Sequence, residues 1–169
     1  MNIKKTANLL INFTIKRLAE IFGVIIFSGG VILLIALITY SPDDPNFIFP
    51  ENTKIKNLLG FQGSFVSDLF FQSIGLIAYL VSFTFIVTGI NIFRIKEFFL
   101  IVENIFFTII YCLFGTLFLT HFYSKGFTLY INGNGGFVGN YLNQTFFGSL
   151  IQINENIFYY ILILLVLFL

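Results

Sequence analysis

Two adjacent aspartates are the plainest candidate for chemistry in this sequence. Asp43 and Asp44 lie between Pro42 and Pro45, and paired carboxylates can hold a divalent cation or serve in acid–base catalysis. No third ligand type is close in the sequence, and adjacent side chains rarely aim at one metal ion. The prolines forbid a helix here, while aspartate side chains hydrogen-bond nearby amides. The sequence therefore favours a turn that ends a helix over a metal or catalytic site.

One carboxylate, Asp68, lies near the start of a long apolar run. Acids inside membrane spans often relay protons or ions, but a relay needs further ionisable groups at mid-depth, and the other apolar runs offer none. Gly60 and Gly63 precede Asp68, and Ser64 or Ser67 could cap a helix that begins there. Asp68 would then lie in the first turns, where the helix dipole favours a negative charge. Structural anchoring is the favoured role.

The glycine-rich segment 133–139 invites comparison with a nucleotide-binding loop. A dinucleotide fingerprint requires glycine at the position of Val138, and no βαβ pattern surrounds it. Gly135, Gly136 and Gly139 can instead turn the chain onto the membrane surface. Residues 137–146 suit a short helix in the outer interface. Its predicted apolar face holds Val138, Tyr141, Leu142 and Phe146, and its polar face holds Asn140, Asn143 and Gln144.

The remaining reactive side chains stand alone in the sequence. His121 has no cysteine, histidine or carboxylate at ligand spacing, and the single cysteine, Cys112, has no disulfide partner within one chain. The signatures Gly-x-Ser-x-Gly, His-Glu-x-x-His and Gly-x-x-x-x-Gly-Lys-Ser/Thr do not occur. The sequence predicts no catalytic, cofactor-binding or metal-binding residue, and we do not expect this chain to be an enzyme.

Long apolar runs must position all of these residues. The runs at about 18–40, 65–92 and 98–120 each reach the roughly 20 residues that cross a bilayer as a helix, and a fourth, 157–169, covers about two-thirds of a span. The chain is 57% hydrophobic and 10% charged, whereas soluble domains carry about 25% charged residues. We therefore expect an all-α polytopic membrane protein. Its core would be a four-helix transmembrane bundle with a truncated fourth span and short amphipathic interfacial helices.

Lysine and arginine residues divide unevenly among the connections. Lys4, Lys5, Lys16, Arg17, Arg94 and Lys96 lie before the first run or between the second and third, against Lys54, Lys56 and Lys125 elsewhere. The positive-inside rule then places the N-terminus in the cytoplasm. Residues 1–17 form a basic amphipathic pattern, which either lies on the anionic inner leaflet or continues the first span.

Small residues recur along the runs at helical spacing. In the second run Gly75, Ser82 and Gly89 continue seven-residue steps from Asp68, with Ala78 beside them. Small side chains let helix backbones approach each other in lipid, so we expect these residues to pack helices together. The shorter stripes in the first and third runs contain Gly23, Gly30, Thr108, Cys112 and Gly115.

Two signatures and their order resemble a known family. Tyr-Ser-Pro-Asp-Asp-Pro stands at 40–45, Gly-Phe-Gln-Gly-Ser-Phe-Val-Ser-Asp-Leu-Phe-Phe at 60–71, and Gly-Gly-Phe-Val-Gly follows at 135–139. Together with the basic N-terminus, they resemble the N-terminal four-helix membrane domain of the FtsK/SpoIIIE DNA translocases. The resemblance runs from about Arg17 to the end and assigns 18–169 to that domain. Members typically carry Ala-Asp where Ser67 and Asp68 stand, a small departure.

The resemblance implies a membrane anchor at the division septum, in the inner membrane of a bacterium. In that family the domain contacts other division proteins, and a linker leads to a hexameric ATPase that moves double-stranded DNA. The implied partners are the lipid bilayer, division-site membrane proteins and further copies of the chain. ATP, Mg²⁺ and DNA are expected only with the motor, which this sequence lacks. A fragment of a small transporter or channel and a stand-alone structural membrane protein are the alternatives.

Overall fold

The computed structural model describes residues 3–45, 54–123 and 132–145, together with 149, 154, 156–157, 159–161 and 163. Its elements are α1 (Ile3–Ile38), α2 (Gly60–Ile74), a 3₁₀ turn (Gly75–Ile77), α3 (Ala78–Ile95), α4 (Phe99–Phe122) and α5 (Gly136–Asn143). No strand occurs in this described part of the chain, and the expected all-α fold is confirmed. Three segments are long and apolar enough to cross a membrane: Asn8–Ile38, Gly60–Ile95 and Phe99–Phe122.

α1 is one uninterrupted helix of 36 residues. Of the two interpretations of residues 1–17, the structure has the continuation of the first span, from Ile3 onward. A helix of this length measures about 54 Å, longer than a bilayer with its headgroups. The part of α1 before the apolar run therefore has to extend beyond the membrane.

α1 and α3 form an antiparallel pair, which makes the most extensive helix contact among the described elements. At one end, the ammonium group of Lys96 lies 2.6 Å from Glu20. At the other, the Tyr79 hydroxyl donates to the carbonyl of Leu37 over 3.2 Å. We call these the Glu20 end and the Tyr40 end of the bundle, since Tyr40 follows α1 there.

The second apolar run, predicted as one span over 65–92, is not one helix. α2 begins earlier, at Gly60, and the helix breaks at Gly75, whose φ is 58°. A left-handed φ is accessible to glycine without a steric penalty, which allows the chain to change direction there. The 18 residues of α3 measure about 27 Å and match a hydrocarbon core without α2.

α2 lies across the end of α1. Asn57, just before α2, donates to the carbonyl of Ala36 over 2.9 Å, while Phe71, near the end of α2, has its ring 4.9 Å from that of Tyr40. Fifteen helical residues measure about 22 Å. Because the segment that leads into α2 and the end of α2 both meet the short stretch from Ala36 to Tyr40, α2 runs across the end of α1 and not along it.

α4 matches the third predicted run of 98–120 to within two residues at each end. α5 packs across its last turns. The predicted fourth span, 157–169, lies largely outside the described residues. One of its residues that the structure describes, Tyr159, has its ring 5.6 Å from the ring of Phe122.

The apolar core is small and sits where α1, α2 and α3 meet near the Tyr40 end. Its buried members are Leu33, Leu37, Phe71, Ala78 and Val81. Many large apolar side chains elsewhere on α1, α3 and α4 are exposed. Lipid chains are as apolar as these side chains, so such exposure is the normal state of a membrane-spanning helix.

Candidate functional site

Polar side chains concentrate at the Tyr40 end, where they join three segments into one structure. We call this structure the polar cap and define it as residues 39–45, 56–68 and 132–136. It contains the first sequence signature, most of the second, and part of the glycine-rich segment. Its geometry decides whether the aspartates, serines and asparagines there perform chemistry or hold the chain together.

The two adjacent aspartates have different surroundings. Asp44 is 2% exposed, and its carboxylate accepts the backbone N–H groups of Lys56 and Asn57, each over 2.8 Å. Asp43 is exposed and lies 2.8 Å from the ammonium group of Lys56. Both carboxylate oxygens of Asp44 therefore close the loop between α1 and α2. Among the described residues no cluster of His, Cys, Asp or Glu could hold a metal ion.

The ion pair between Lys56 and Asp43 changes the pKa of Lys56. The hydrogen bond and the charge of Asp43 raise the pKa of Lys56 above its ordinary value of 10.5. Both side chains are largely exposed, at 62% and 74%. Solvent screens such pairs strongly, so this exposed ion pair adds little to the stability of the polar cap. The buried carboxylate of Asp44 contributes more.

Asn57 completes the end of α1. Its amide donates to the carbonyl of Ala36, and its carbonyl oxygen accepts the N–H of Leu59 over 3.0 Å. The N–H of Leu58 donates to the hydroxyl of Thr39 over 3.3 Å. The last carbonyls of a helix have no partner within the helix, and a side chain from 21 residues away supplies one here. Sequence reasoning missed the roles of Asn57 and Thr39, because a hydrogen bond between residues 21 apart has no local signal in the sequence.

Ser64 and Ser67 do not cap the start of a helix, as the sequence suggested. α2 already begins at Gly60, with Leu59 at the cap position and no side-chain cap. The hydroxyl of Ser64 instead donates to the carbonyl of Pro45 over 2.9 Å, and Ser67 bonds back to the carbonyls of Gly63 and Ser64. Ser64 therefore ties the second signature to the first.

The glycines of the second signature have separate roles. A Cβ on Gly63 would collide with the side chain of Asn57. Gly60 has a φ of 67° where α2 begins, with open space around it. Gly63 is thus required by the packing of the cap, and Gly60 by the turn into α2.

Asp68 connects α2 to the end of α1. The hydroxyl of Tyr40 donates to its carboxylate over 3.1 Å, and the Tyr40 ring packs edge-on against Phe71. Asp68 lies in the third turn of a helix that crosses the bundle at its end. Asp68 lies further along the helix than predicted, because α2 begins at Gly60 and not at Ser64 or Ser67.

The break at Gly75 is closed by the loop before α5. The N–H of Leu76 donates to the carbonyl of Asn134 over 2.9 Å, and the amide of Asn134 donates to the carbonyl of Tyr123 over 2.6 Å. A Cβ on Gly136 would lie 2.6 Å from the backbone nitrogen of Gly75. Gly75, expected to face another helix, therefore faces the backbone of this loop. Asn134 was not singled out from the sequence.

Gly135 and Gly139 hold α5 against α4. A Cβ on either glycine would collide with the carbonyl of Thr116 and the hydroxyl of Thr120. Leu142 packs on Leu117 at the same contact. The segment 133–139 therefore forms the contact between α5 and α4. Its geometry is that of helix packing and not of a phosphate-binding loop.

The faces of α5 differ from those predicted. Phe137 and Tyr141 are exposed, whereas Leu142 packs inward. Asn140, predicted on the polar face, donates to the carbonyl of Asn132 over 2.8 Å. The predicted apolar residue Phe146 lies outside the described residues. His121 lies 3.4 Å from Asn143 and acts in the same helix contact.

Three of the predicted small residues lie where the backbones of α1 and α3 meet. A Cβ on Gly23 would be 2.7 Å from the nitrogen of Phe93, and one on Gly30 would be 2.8 Å from that of Ile86. A Cβ on Gly89 would collide with the backbone of Phe27. Ala78 and Ser82 are fully buried on α3.

The small stripe of α4 makes looser contacts. A Cβ on Gly115 would meet only the side chain of Ile77, at 2.7 Å. Cys112 is half-buried beside the core, and the hydroxyl of Thr108 donates to the carbonyl of Asn104 in its own helix. The structure thus brings Gly23, Gly30 and Gly89 together at the α1–α3 contact, whereas the hydroxyl of Thr108 bonds within α4.

An ion-pair group closes the Glu20 end. The carboxylate of Glu20 lies 2.6 Å from Lys96 and 2.6 Å from Arg17. Lys96 adopts a left-handed φ of 66° as the C-cap of α3. Sequence reasoning used Arg17 and Lys96 only for orientation and missed Glu20 as their partner; an acid three residues after Arg17 was the available signal.

A groove of about 640 Å³ separates α3 from α4. Its polar lining consists of Thr84, Thr88, Asn91, Glu103, Asn104 and Tyr111. Thr84 and Tyr111 bridge the two helices with a hydrogen bond of 2.9 Å, and the amide of Asn104 donates to the carbonyl of Leu100. Much of this polarity is therefore satisfied within the helix pair itself.

Comparison with known proteins identifies the chain's relatives. The family described as the 4TM region of DNA translocase FtsK/SpoIIIE matches residues 15–169. The DNA translocase FtsK of Caulobacter vibrioides is 35% identical over 73 residues, which is 43% of this chain and 9% of that protein. DNA translocase FtsK of Rickettsia typhi is 36% identical over 62 residues, or 37% of this chain and 8% of that protein.

A third relative shows the same proportions. DNA translocase FtsK of Rickettsia bellii is 32% identical over 81 residues, covering 48% of this chain and 10% of that protein. The chain thus matches about a tenth of the length of these curated relatives. No solved structure matches it significantly.

Proposed function

Since the chain belongs to the family of the 4TM region of DNA translocase FtsK/SpoIIIE, we propose that it anchors an FtsK-like DNA translocase at the division septum. In this proposal it supports cell division and chromosome segregation, and it contacts other membrane proteins of the division site. The observation that carries the proposal is the family match over 15–169, which includes both signatures and the glycine-rich segment. DNA, ATP and Mg²⁺ belong to a motor outside this chain.

The geometry of the polar cap supports a structural role for its carboxylates. Asp44 and Asp68 bond within the fold. The cap ties the ends of α1, α2 and α4 into one unit. A mechanically connected bundle can hold a larger assembly at the membrane, which is what the proposed role requires.

Cellular localisation tests the septum-targeting role. The chain is fused at its N-terminus to a fluorescent protein and expressed in dividing bacteria, with α1 alone (residues 1–40) as the control fusion. We expect the full chain to concentrate at the division site and the control to spread evenly over the membrane. An even distribution of both fusions would contradict septum targeting.

A chimaera tests the link to DNA translocation. The chain is joined to the part of the Caulobacter vibrioides translocase that follows its whole membrane domain, and this fusion replaces the native protein in that bacterium. We expect chromosome segregation to recover with the membrane-anchored fusion and not with the same part lacking any membrane domain. Failure of the anchored fusion to improve segregation would count against the proposed anchor role.

Orientation is a separate part of the proposal. The Glu20 end carries Lys16, Arg17, Arg94 and Lys96, and by the positive-inside rule it faces the cytoplasm. Alkaline phosphatase should be active when fused after Pro50 or Gly135 and inactive after Lys96. The reverse pattern would refute this orientation.

The groove between α3 and α4 is the one observation that favours the transporter alternative. Polar groups inside a membrane segment often line a substrate or ion path. Purified chain in vesicles should leave proton and potassium gradients intact if the anchor proposal holds. A flux that Glu103→Gln abolishes would favour the transporter interpretation instead.

A further inference from the structure

We propose that α2 and α5 are surface helices that rest in the headgroup region at the Tyr40 end, each held there by a stacked aromatic pair in contact with lipid. The pairs are Phe61 with Phe65 on α2, and Phe137 with Tyr141 on α5. The inference rests on the membrane assignment and is independent of the division-site role. It assigns a lipid-binding surface to the Tyr40 end, where the sequence predicted a second full span and only one interfacial helix.

The depth of α5 follows from its contact with α4. α4 begins at Phe99, next to the Glu20–Lys96 ion pair. Thr116 and Thr120, against which α5 packs, lie 17 and 21 residues further along the helix, or about 26 and 32 Å. A hydrocarbon core is about 30 Å thick. α5 therefore lies at the boundary between lipid chains and headgroups.

The depth of α2 follows from its contact with α1. Asn57, three residues before α2, donates to the carbonyl of Ala36, which is 16 residues or about 24 Å along α1 from Glu20. Phe71, near the end of α2, packs on Tyr40, which lies two residues after the end of α1. α2 crosses α1 at this level, so its whole length stays near the same depth. Two helices from different parts of the chain thus reach the same boundary.

α2 and α5 each carry a stacked pair of aromatic rings on the face that points away from the protein. The ring centroids of Phe61 and Phe65 are 6.4 Å apart, and those of Phe137 and Tyr141 are 6.3 Å apart, stacked in both cases at four-residue spacing. Phe61 is 43% exposed and its partner Phe65 is half-buried, while Phe137 and Tyr141 are each 61% exposed.

The opposite faces of these helices are buried in the protein, at Ser67 and Phe71 in α2 and at Gly136 and Gly139 in α5. Tyr is enriched at membrane interfaces, and Phe is typical of the apolar face of a helix that lies in the interface. A lipid surface therefore fits both faces.

Tryptophan fluorescence tests this inference directly, because the chain contains no tryptophan. Phe61→Trp and Phe137→Trp place the probe on the two aromatic pairs. Ile109→Trp, at an exposed position about 15 Å along α4 from Phe99, is the control for the bilayer centre. Asp43→Trp, at an exposed position of the cap, is the control for water. Each full-chain variant is reconstituted into phosphatidylcholine vesicles brominated either near the headgroup or near the chain end.

The expected pattern distinguishes depth from mere exposure. Trp fluorescence of the Phe61 and Phe137 variants should fall more with bromines near the headgroup, and that of the Ile109 variant should fall more with bromines near the chain end. The Asp43 variant should resist both lipids and be quenched by aqueous acrylamide.

A Phe61 or Phe137 variant that behaves like the Asp43 variant would overturn the proposal and leave the face open to a protein partner. One that behaves like the Ile109 variant would overturn it in favour of a deep helix. Neither result depends on where the protein localises in cells.

Discussion

α3 packs against its two neighbouring helices in opposite ways. Toward α1 it presents Gly89 and Ser82, and the two backbones nearly touch. Toward α4 it presents larger residues, and a groove of about 640 Å³ remains, bridged by the Thr84–Tyr111 hydrogen bond. Lipid provides no hydrophobic drive for helix association, so close packing decides which helices hold together. α1 and α3 therefore form the closely packed pair, while α4 is held mainly by the polar cap and α5.

The largest expected effect is the loss of the α1–α3 contact in Gly89→Leu. A side chain at Gly89 would run into the backbone of Phe27, which cannot move aside as a flexible side chain would. Overpacking destabilises by about 1 to 3 kcal/mol and occasionally more, and a collision with backbone places this change at the upper end of that range. Thermal unfolding in detergent, followed by helical circular dichroism, measures it.

Gly29→Leu is the matched control, since nothing lies within 4 Å of a Cβ at Gly29 on the same helix pair. We expect its melting temperature to stay close to that of the unmodified chain. Equal melting temperatures for the two variants would mean that the α1–α3 pair is no firmer than the rest of the bundle.

The next effect is expected from Asp44→Ala in the polar cap. The change leaves the backbone N–H groups of Lys56 and Asn57 without their acceptor, and an unpaired buried donor costs about 1 to 3 kcal/mol. Asp43→Ala is the control, because Asp43 bonds Lys56 only at an exposed position. If chemical unfolding finds both variants equally stable, the cap does not hold the Tyr40 end together.

Between α3 and α4 a smaller effect is expected from Thr84→Val. This change removes the hydroxyl that meets Tyr111 and keeps the shape of the side chain. A single hydrogen bond contributes about 0.5 to 1.5 kcal/mol, and Thr84→Ser should retain most of it. A loss as large as that of Gly89→Leu would remove the distinction between the firm and the loose side of α3.

The smallest effect concerns the pH dependence of the exposed pair Lys56 and Asp43. The pKa of Lys56 is raised by Asp43 above 10.5, so the pair stabilises the fold below that pH and loses its contribution as pH rises through the raised pKa. The melting temperature of the unmodified chain should slightly exceed that of Lys56→Met near neutral pH. The difference should vanish in strong alkali; a difference that grows with pH would show that the sign is wrong.

The helix-packing glycines could be predicted from the sequence because spacing along a helix sets which residues share a face. Gly23, Gly30 and Gly89 lie at the α1–α3 contact, as expected. The same reasoning misplaced Gly75. Seven-residue spacing assumes an unbroken helix. The positive φ of Gly75 breaks the helix there, and the next residue, Leu76, bonds to the carbonyl of Asn134.

The roles of the aspartates were predictable only in kind. Proline on both sides of Asp43 and Asp44 predicts a turn, and a turn is what the structure has. Which aspartate is buried, and that Asn57 and Ser64 complete the same cap, depends on segments up to 21 residues apart. The partnership of Glu20 with Lys96 spans the length of two helices and could not be inferred from either sequence segment alone.

The apolar runs by themselves determined that this chain is helical and belongs in a membrane. Length and hydropathy are local properties of a segment, and they decide whether it can cross the bilayer as a helix. Only the tertiary structure decided that residues 60–74 lie across the bundle, that the Tyr40 end is closed by buried polar groups, and that α1 pairs firmly with α3. These outcomes depend on which backbone groups of distant segments come within hydrogen-bonding or contact distance. Lipid provides no hydrophobic driving force between helices, so the hydropathy pattern does not show which distant segments come into contact.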